Sequence, residues 1–304
     1  MTIKHIVISG GGPAGLISYG SLRKLHNHGL WKLDDIESIY ASSSGSLIAV
    51  IIALGYEWNI LDDYFVDRPW DVAFADINTG IIDIICSKGL DGIKLNKVCT
   101  DSLFKCKNLS ENITLKELFE YTHINICLTA TDINANYTLT GEILSHTTYP
   151  DMPVVQAVAS SCALPLVFKP VFVNNRCFID GGLIHNYPLQ LCIDNTGCNM
   201  DDILAIHNTK RSATPNHINE SSTFMEYVLQ LIRKGHTTID STKVQPIIKH
   251  TVMSGSNVFN ISYWLDAIYK REFRIELIEQ GVSDADILIK EMTRGTAVEC
   301  QHRV

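Results

Sequence analysis

Within its first 54 residues the chain repeats one pattern twice: a short apolar run, a cluster of small residues, then a helical stretch. Ile3-Lys4-His5-Ile6-Val7-Ile8 reads as a buried strand that breaks at Gly10-Gly11-Gly12-Pro13-Ala14-Gly15 and resumes with helical spacing from Leu16 to His28, stopped by Gly29. Ile36 to Tyr40 is again strand-like, Ala41-Ser42-Ser43-Ser44-Gly45 is turn-forming, and Ser46 to Leu54 is helical and almost wholly apolar. Strands joined by helices in this way pair in parallel and must be covered on both faces. The predicted class is therefore α/β, a three-layer α/β/α arrangement around a central, mostly parallel sheet.

Further along, Ile124 to Thr131 and Ile203 to Ile206 read as buried strands, and Pro153 to Cys162 as a helix with proline at its start. Val171-Phe172-Val173 and Arg176-Cys177-Phe178-Ile179 flank Asn174-Asn175, a hairpin signal. Asn59 to Glu120 is less regular and reads as an insertion or a cap carrying Tyr64, Trp70 and Phe74. Asn208 to Ser222 reads as a polar surface loop, with helical signals beyond it at Phe224 to Gly235 and Phe273 to Gly281. No linker divides the chain, so a single domain over residues 1–304 is expected, with its motifs in about residues 3–207 and a helical extension over about 220–304.

Hydrophobic residues make up 46% of the chain, enough for a sizeable core. The net charge of −8 and the lack of a basic stripe argue against a nucleic-acid partner, because phosphate binding needs clustered Lys and Arg. Nine cysteines without a C-x-x-C pair suggest free thiols in a reducing compartment. No secretory signal is seen, and the longest apolar run, Leu47 to Leu54, is far short of the roughly 18 residues of a membrane span. A soluble, intracellular protein is expected.

The chemistry rests on three segments. A serine hydroxyl needs a base within hydrogen-bond reach and donors for the oxyanion formed on attack. A sharp strand-to-helix turn lifts the serine out of the sheet only if its neighbours are small. By register with G-x-S-x-G the nucleophile is Ser43, within an elbow of Ala41, Ser42, Ser44 and Gly45. Asp180, followed by Gly181 and Gly182, ends the second strand of the hairpin and is the candidate base. Gly10, Gly11, Gly12 and Gly15 offer backbone N–H groups for an oxyanion hole. Each segment also has a plainer reading: Ser42 or Ser44 as a helix cap, Asp-Gly-Gly as an ordinary turn, and the glycines as a dinucleotide fingerprint. That fingerprint wants an acidic residue at the end of the second strand, where this chain has the serine turn.

With these motifs in this order the chain resembles the patatin-like phospholipases, lipid acyl hydrolases with a Ser-Asp dyad. Ala157 to Pro165, Phe178 to Pro188 and Thr129-Ala130-Thr131-Asp132 are similar to further blocks of that family, so the resemblance spans about residues 3–207. It implies a patatin-like fold, Ser43 as nucleophile, Asp180 as base, oxyanion donors around Gly11 and Gly12, an acyl-enzyme intermediate, and no metal or organic cofactor. Ala41 replaces a usual glycine, Ser9 stands where an acidic residue is frequent, and Ala14 stands where the family usually has Arg or Lys.

The implied partner is a phospholipid or another acyl lipid, with transient contact to a membrane surface and an activating protein partner left open. Val258 to Tyr269 has the large apolar and aromatic side chains of an interfacial segment or of packed core. Three other readings stay open: an inactive member that binds lipid or protein, favoured by Ala14; a Ser-His-Asp α/β-hydrolase using His185 or His207; and a dinucleotide-binding oxidoreductase.

Overall fold

The computed structural model describes residues 2–73, 88–135, 137–210, 218–241, 245–256 and 261–301. The two opening units fold as read. Strand β1 (His5–Ile8) leads through a short 3-10 turn at Gly12–Ala14 into helix α1 (Gly15–Asn27), and β2 (Ser38–Ser42) leads into α2 (Ser44–Ala53). Helices α3 (Trp58–Asp67), α4 (Trp70–Ala73), α5 (Gly92–Cys106) and α6 (Leu115–Thr122) follow, then β3 (Asn125–Asp132), β4 (Thr140–Leu144) and α7 (Val154–Ser161). The hairpin β5 (Val171–Val173) and β6 (Arg176–Asp180) turns at Asn174 and Asn175, both at positive φ, as the Asn-Asn pair predicts.

Helices α8 (Gly182–His185) and α9 (Leu189–Thr196) precede β7 (Ile203–Lys210). Beyond it lie α10 (Phe224–Ser241), β8 (His250–Ser256), α11 (Ile261–Tyr269) and α12 (Arg271–Gln301).

The strands form one sheet in the order β5-β6-β3-β2-β1-β7-β8, with β4 also on β3. The β1, β2, β3, β7 and β8 neighbours are parallel, while β4, β5 and β6 join in antiparallel fashion. Alternation along each strand separates two cores. Ile6, Ile8, Ile39, Ala41, Leu128 and Leu204 pack towards α1, α2 and α7, whereas Val7, Tyr40, Cys127 and Ala205 pack against Leu189 and Cys192 of α9. The sheet is thus flanked by helices on both faces.

Three sequence expectations need correction. In its described residues the irregular stretch after Asn59 is part of the core rather than a cap set on it: Leu61, Phe65, Trp70, Leu103 and Leu118 all belong to the larger core. Trp70 is 7% exposed and its indole donates to the Phe65 carbonyl at 3.0 Å, so it is a core residue; Phe74 lies outside the described residues. The polar run from Asn208 begins inside β7, because pairing with β8 carries the strand on to Lys210. For the same reason the C-terminal region is not wholly helical: it supplies β8 to the sheet edge. Among the described residues no helix is long and apolar enough to cross a membrane.

Helix α12 lies along α1 at a crossing made of glycines. A Cβ on Gly20 would fall 2.1 Å from the Ile278 carbonyl oxygen, and one on Gly281 would fall 2.0 Å from that of Ile17. The Ser21 hydroxyl donates to the Gly281 carbonyl at 3.0 Å across the same contact. The obstacles are backbone and cannot rotate away. Gly20→Ala is therefore expected to destabilise the protein by about 1–3 kcal/mol, read as a lower urea midpoint at unchanged slope; an unchanged midpoint would mean that the helices separate freely.

Candidate active site

The register around β3 determines where the site lies. Ser42, the last residue of β2, pairs with Thr129, and Asp180, the last residue of β6, pairs with Ala130. Strand β4 pairs with Leu128 to Asp132, the stretch that also carries the end of the β2 pairing and the whole of the β6 pairing, so it occupies one edge of β3 opposite both. Strands β2 and β6 therefore share the other edge, end to end and pointing at each other. The residues that follow one strand must meet the residues that end the other.

Ser43 sits in that gap at φ 50°, ψ −129°, the sharp turn between β2 and α2. Such a conformation costs a non-glycine residue about 1–3 kcal/mol and persists only where its surroundings hold it. Its N–H donates to Ser161 Oγ at 2.9 Å, and Ser161 Oγ is also 2.7 Å from Ser46 Oγ. The small neighbours are needed: a Cβ on Gly45 would lie 2.8 Å from the carbonyl oxygens of both Ile8 and Ser9. Ser42 and Ser44 do not cap α2; both hydroxyls are buried without a partner among the described residues. The helix-cap reading of this turn is overturned.

The Ser43 hydroxyl donates to Asp180 Oδ2 at 2.8 Å. The second carboxylate oxygen, Oδ1, accepts the Gly182 N–H at 2.7 Å. Asp180 is only 5% exposed, and burial pushes its carboxyl up to about 6 against the pull of these two hydrogen bonds. Its backbone is fixed on both sides, with N–H to the Ala163 carbonyl at 3.0 Å and C=O from the Thr131 hydroxyl at 2.9 Å. No histidine intervenes. The His207 ring stacks on Tyr187 at 4.0 Å, and the His185 ring lies where a Cβ on Gly141 would be.

The glycine loop runs beside the serine, for a Cβ on Gly10 would be 2.9 Å from Ser43 Cβ. Its four glycines are not equivalent. The Gly10 N–H donates to the Asn186 carbonyl at 3.1 Å, and that of Gly15 to the Gly12 and Pro13 carbonyls. The N–H groups of Gly11 and Gly12 have no partner among the described residues. Behind the loop, Ser9 Oγ accepts the Asn208 N–H at 2.6 Å, and Asn208 Nδ2 donates to Ser18 Oγ at 2.9 Å. Ser9 is thus a buried acceptor for β7. Ala14 is fully buried against Ile17 and Leu277, in a cluster bordered by Tyr263 and Phe273. A lysine or arginine there would displace α11 and α12.

Sequence reasoning missed Ser161, Asn186, Asn208 and Trp264. Ser161 and Asn186 lie in segments already singled out, but nothing in a lone sequence marks a serine as a backbone acceptor. Trp264, on α11, packs against the loop, with its Cζ2 2.5 Å from the position of a Cβ on Gly12. Of the stripe from Val258 to Tyr269, residues 258–260 lie outside the described residues, while Leu265 and Tyr269 are exposed.

A family model described as patatin-like phospholipase matches residues 6–193. A probable lipid hydrolase of Invertebrate iridescent virus 6 is 27% identical over 201 residues, covering 62% of this chain and 63% of that protein, so this chain spans a little under two thirds of it. An uncharacterized protein of Acanthamoeba polyphaga mimivirus is 24% identical over 229 residues, 75% of this chain and 74% of the other. Among solved structures, VipD from Legionella pneumophila superposes with a TM-score of 0.55 at 15% identity, over 96% of this chain and 67% of that one. At that identity the likeness speaks for the fold alone.

The raised Asp180 carboxyl has a consequence for stability. Its folded value of about 6 exceeds the ordinary 3.8, so the native state holds this proton more tightly than the unfolded chain. Its contribution is then most favourable at low pH and is lost as pH rises from about 4 to about 6. Asp180→Asn is expected to stabilise the protein at pH ~7.5 relative to pH ~4.5 by up to roughly 3 kcal/mol, measured by urea unfolding of both proteins at the two pH values. An equal difference at both would contradict burial of the charge.

Proposed function

The chain belongs to the patatin-like phospholipase family, and from that premise we propose that it is a serine-dependent lipid acyl hydrolase working through a Ser43-Asp180 dyad. The observation that carries the reading is the 2.8 Å hydrogen bond from the Ser43 hydroxyl to a buried carboxylate, at the tip of a strained strand-to-helix turn. Ser43 Oγ attacks the ester carbonyl while its proton passes to Asp180 Oδ2. The oxyanion is received by the N–H groups of Gly11 and Gly12, aided by the N-terminal end of α2. Collapse breaks the ester C–O bond, the leaving alcohol takes the proton from Asp180, and an acyl-Ser43 remains. Water then gives its proton to Asp180 and attacks the acyl carbon; Ser43 departs with that proton and the fatty acid is released.

Asp180 suits both halves of the cycle. A carboxyl near 6 is ionised at neutral pH, yet holds a proton far better than an exposed aspartate would. Ala14 does not weigh against turnover, since its side chain packs under α12 and leaves the two loop amides in place. Phospholipids or other acyl lipids are the proposed substrates, in keeping with the family and the iridescent-virus relative.

Fatty-acid release from mixed phosphatidylcholine and phosphatidylethanolamine vesicles tests this. Ser43→Ala and Asp180→Asn are each expected to lower the rate at least roughly a thousandfold, while His185→Ala and His207→Ala retain it. The wild-type rate should rise with pH through about 6 and then level. Activity surviving in Ser43→Ala, or a folded wild type that neither hydrolyses nor reacts with a fluorophosphonate at Ser43, would overturn the proposal.

A further inference from the structure

An ester held between Ser43 and the glycine loop must send its acyl chain somewhere, and the large side chain packed on that loop at Gly12 is an indole. The Trp264 ring lies flush on Gly12, which at φ +57° has no side chain to hold it off. Gly12 is two residues from Gly10, whose Cβ position abuts Ser43. Across from Trp264 stands Phe168, with ring centroids 6.2 Å apart and planes tilted by 62°. Phe168 closes a turn through its N–H to the Leu164 carbonyl at 2.9 Å, directly after Ala163, the residue whose carbonyl receives the Asp180 N–H. The aromatic pair therefore joins the two loops that frame the serine and the aspartate, one from each side.

Trp264 is half-buried, unlike Trp31 and Trp70, which are sealed in the core. Its helix is held by a buried arginine. Arg274, 6% exposed, donates to the carbonyls of Ala267 and Ile268 at the end of α11, both at 3.1 Å, and to Val66 of α3 at 2.8 Å. Three carbonyls at two helix ends thus converge on one guanidinium, which fixes where α11, and with it the indole, can lie.

We propose that Trp264 is a specificity-determining residue, the wall along which the substrate's acyl chain lies, and that Arg274 is its positioning residue. This rests on the hydrolase reading above. An indole gives a broad apolar face at little entropic cost, suited to a methylene chain without selecting a headgroup.

The test compares p-nitrophenyl butyrate with p-nitrophenyl palmitate. Trp264→Ala is expected to lower the palmitate-to-butyrate ratio of kcat/KM by roughly tenfold, mostly through KM for palmitate, with Trp264→Phe closer to wild type. Arg274→Gln should shift the ratio the same way by a smaller factor. A second measurement needs no turnover: in Ser43→Ala protein, doxyl-stearate should quench indole fluorescence saturably, and adding Trp264→Phe should remove most of that quenching. An unchanged chain-length ratio together with unchanged quenching would overturn the wall. Equal esterase activity in Ser43→Ala would instead sink the dyad, while the quenching still reports on Trp264.

Discussion

The fold turns on two strands that stop at adjacent rungs of a third. Because β4 fills one edge of β3, β2 and β6 are left to share the other, and Ser42 and Asp180 end up opposite Thr129 and Ala130. Neither strand can lengthen without colliding with the other, so the chain must leave the sheet at both points. It leaves β2 through the strained turn at Ser43 and β6 through Gly181 into α8. A parallel sheet alone would place the serine at its carboxyl edge. The antiparallel return of β6 is what brings an acid from nearly 140 residues away to meet it without an intermediary.

Holding the two ends in this position falls to groups with no chemistry of their own. Ser161 accepts the Ser43 N–H from the end of α7, and the carbonyls of Ser161 and Ala163 take the N–H groups of Gly181 and Asp180. One helix end thereby fixes both halves of the gap. Asn186 extends the arrangement to the glycine loop through its carbonyl, so three loops distant in sequence are cross-tied by backbone hydrogen bonds. Such bonds are short-ranged and directional, which suits a site where about 1 Å of drift is costly. They also explain why the residues there are small: the backbones approach too closely for side chains.

Much of this was legible beforehand, and the reason is local. The strand–turn–helix units, the Asn-Asn hairpin and the Asp-Gly-Gly block are each set by residues within a few positions of one another, so periodicity and turn chemistry expose them. Asn208 was misread because a polar residue after an apolar run looks like the start of a loop. In the fold it is 4% exposed, and its backbone N–H and side-chain Nδ2 are met by Ser9 and Ser18, about two hundred positions earlier. Trp70 was misread for the mirror-image reason: an aromatic residue in an irregular stretch looks peripheral until Tyr64 and Phe65 of α3 and the Arg68 guanidinium pack against it. Gly10 and Gly15 share the motif of Gly11 and Gly12, but which amides stay unpaired depends on Asn186 and on the 3-10 turn at Gly12–Ala14.

The region matched by the family model ends at residue 193, yet the surroundings of the site do not. Strand β7 supplies Asn208 behind the glycine loop, α11 lays Trp264 on its front, and α12 buries Ala14. At position 14 the resemblance implies a cation in the loop, and in this chain apolar packing of Ala14 against Ile17 and Leu277 stands there instead. A charged side chain at position 14 would need solvent; an alanine allows the first turn of α1 to be closed over by Leu277 and the helix that carries Trp264 to approach Gly12. The substitution in the loop and the position of the C-terminal helices are therefore two sides of one packing solution. In it, the indole that lies on Gly12 comes from a part of the chain in which the motifs take no part.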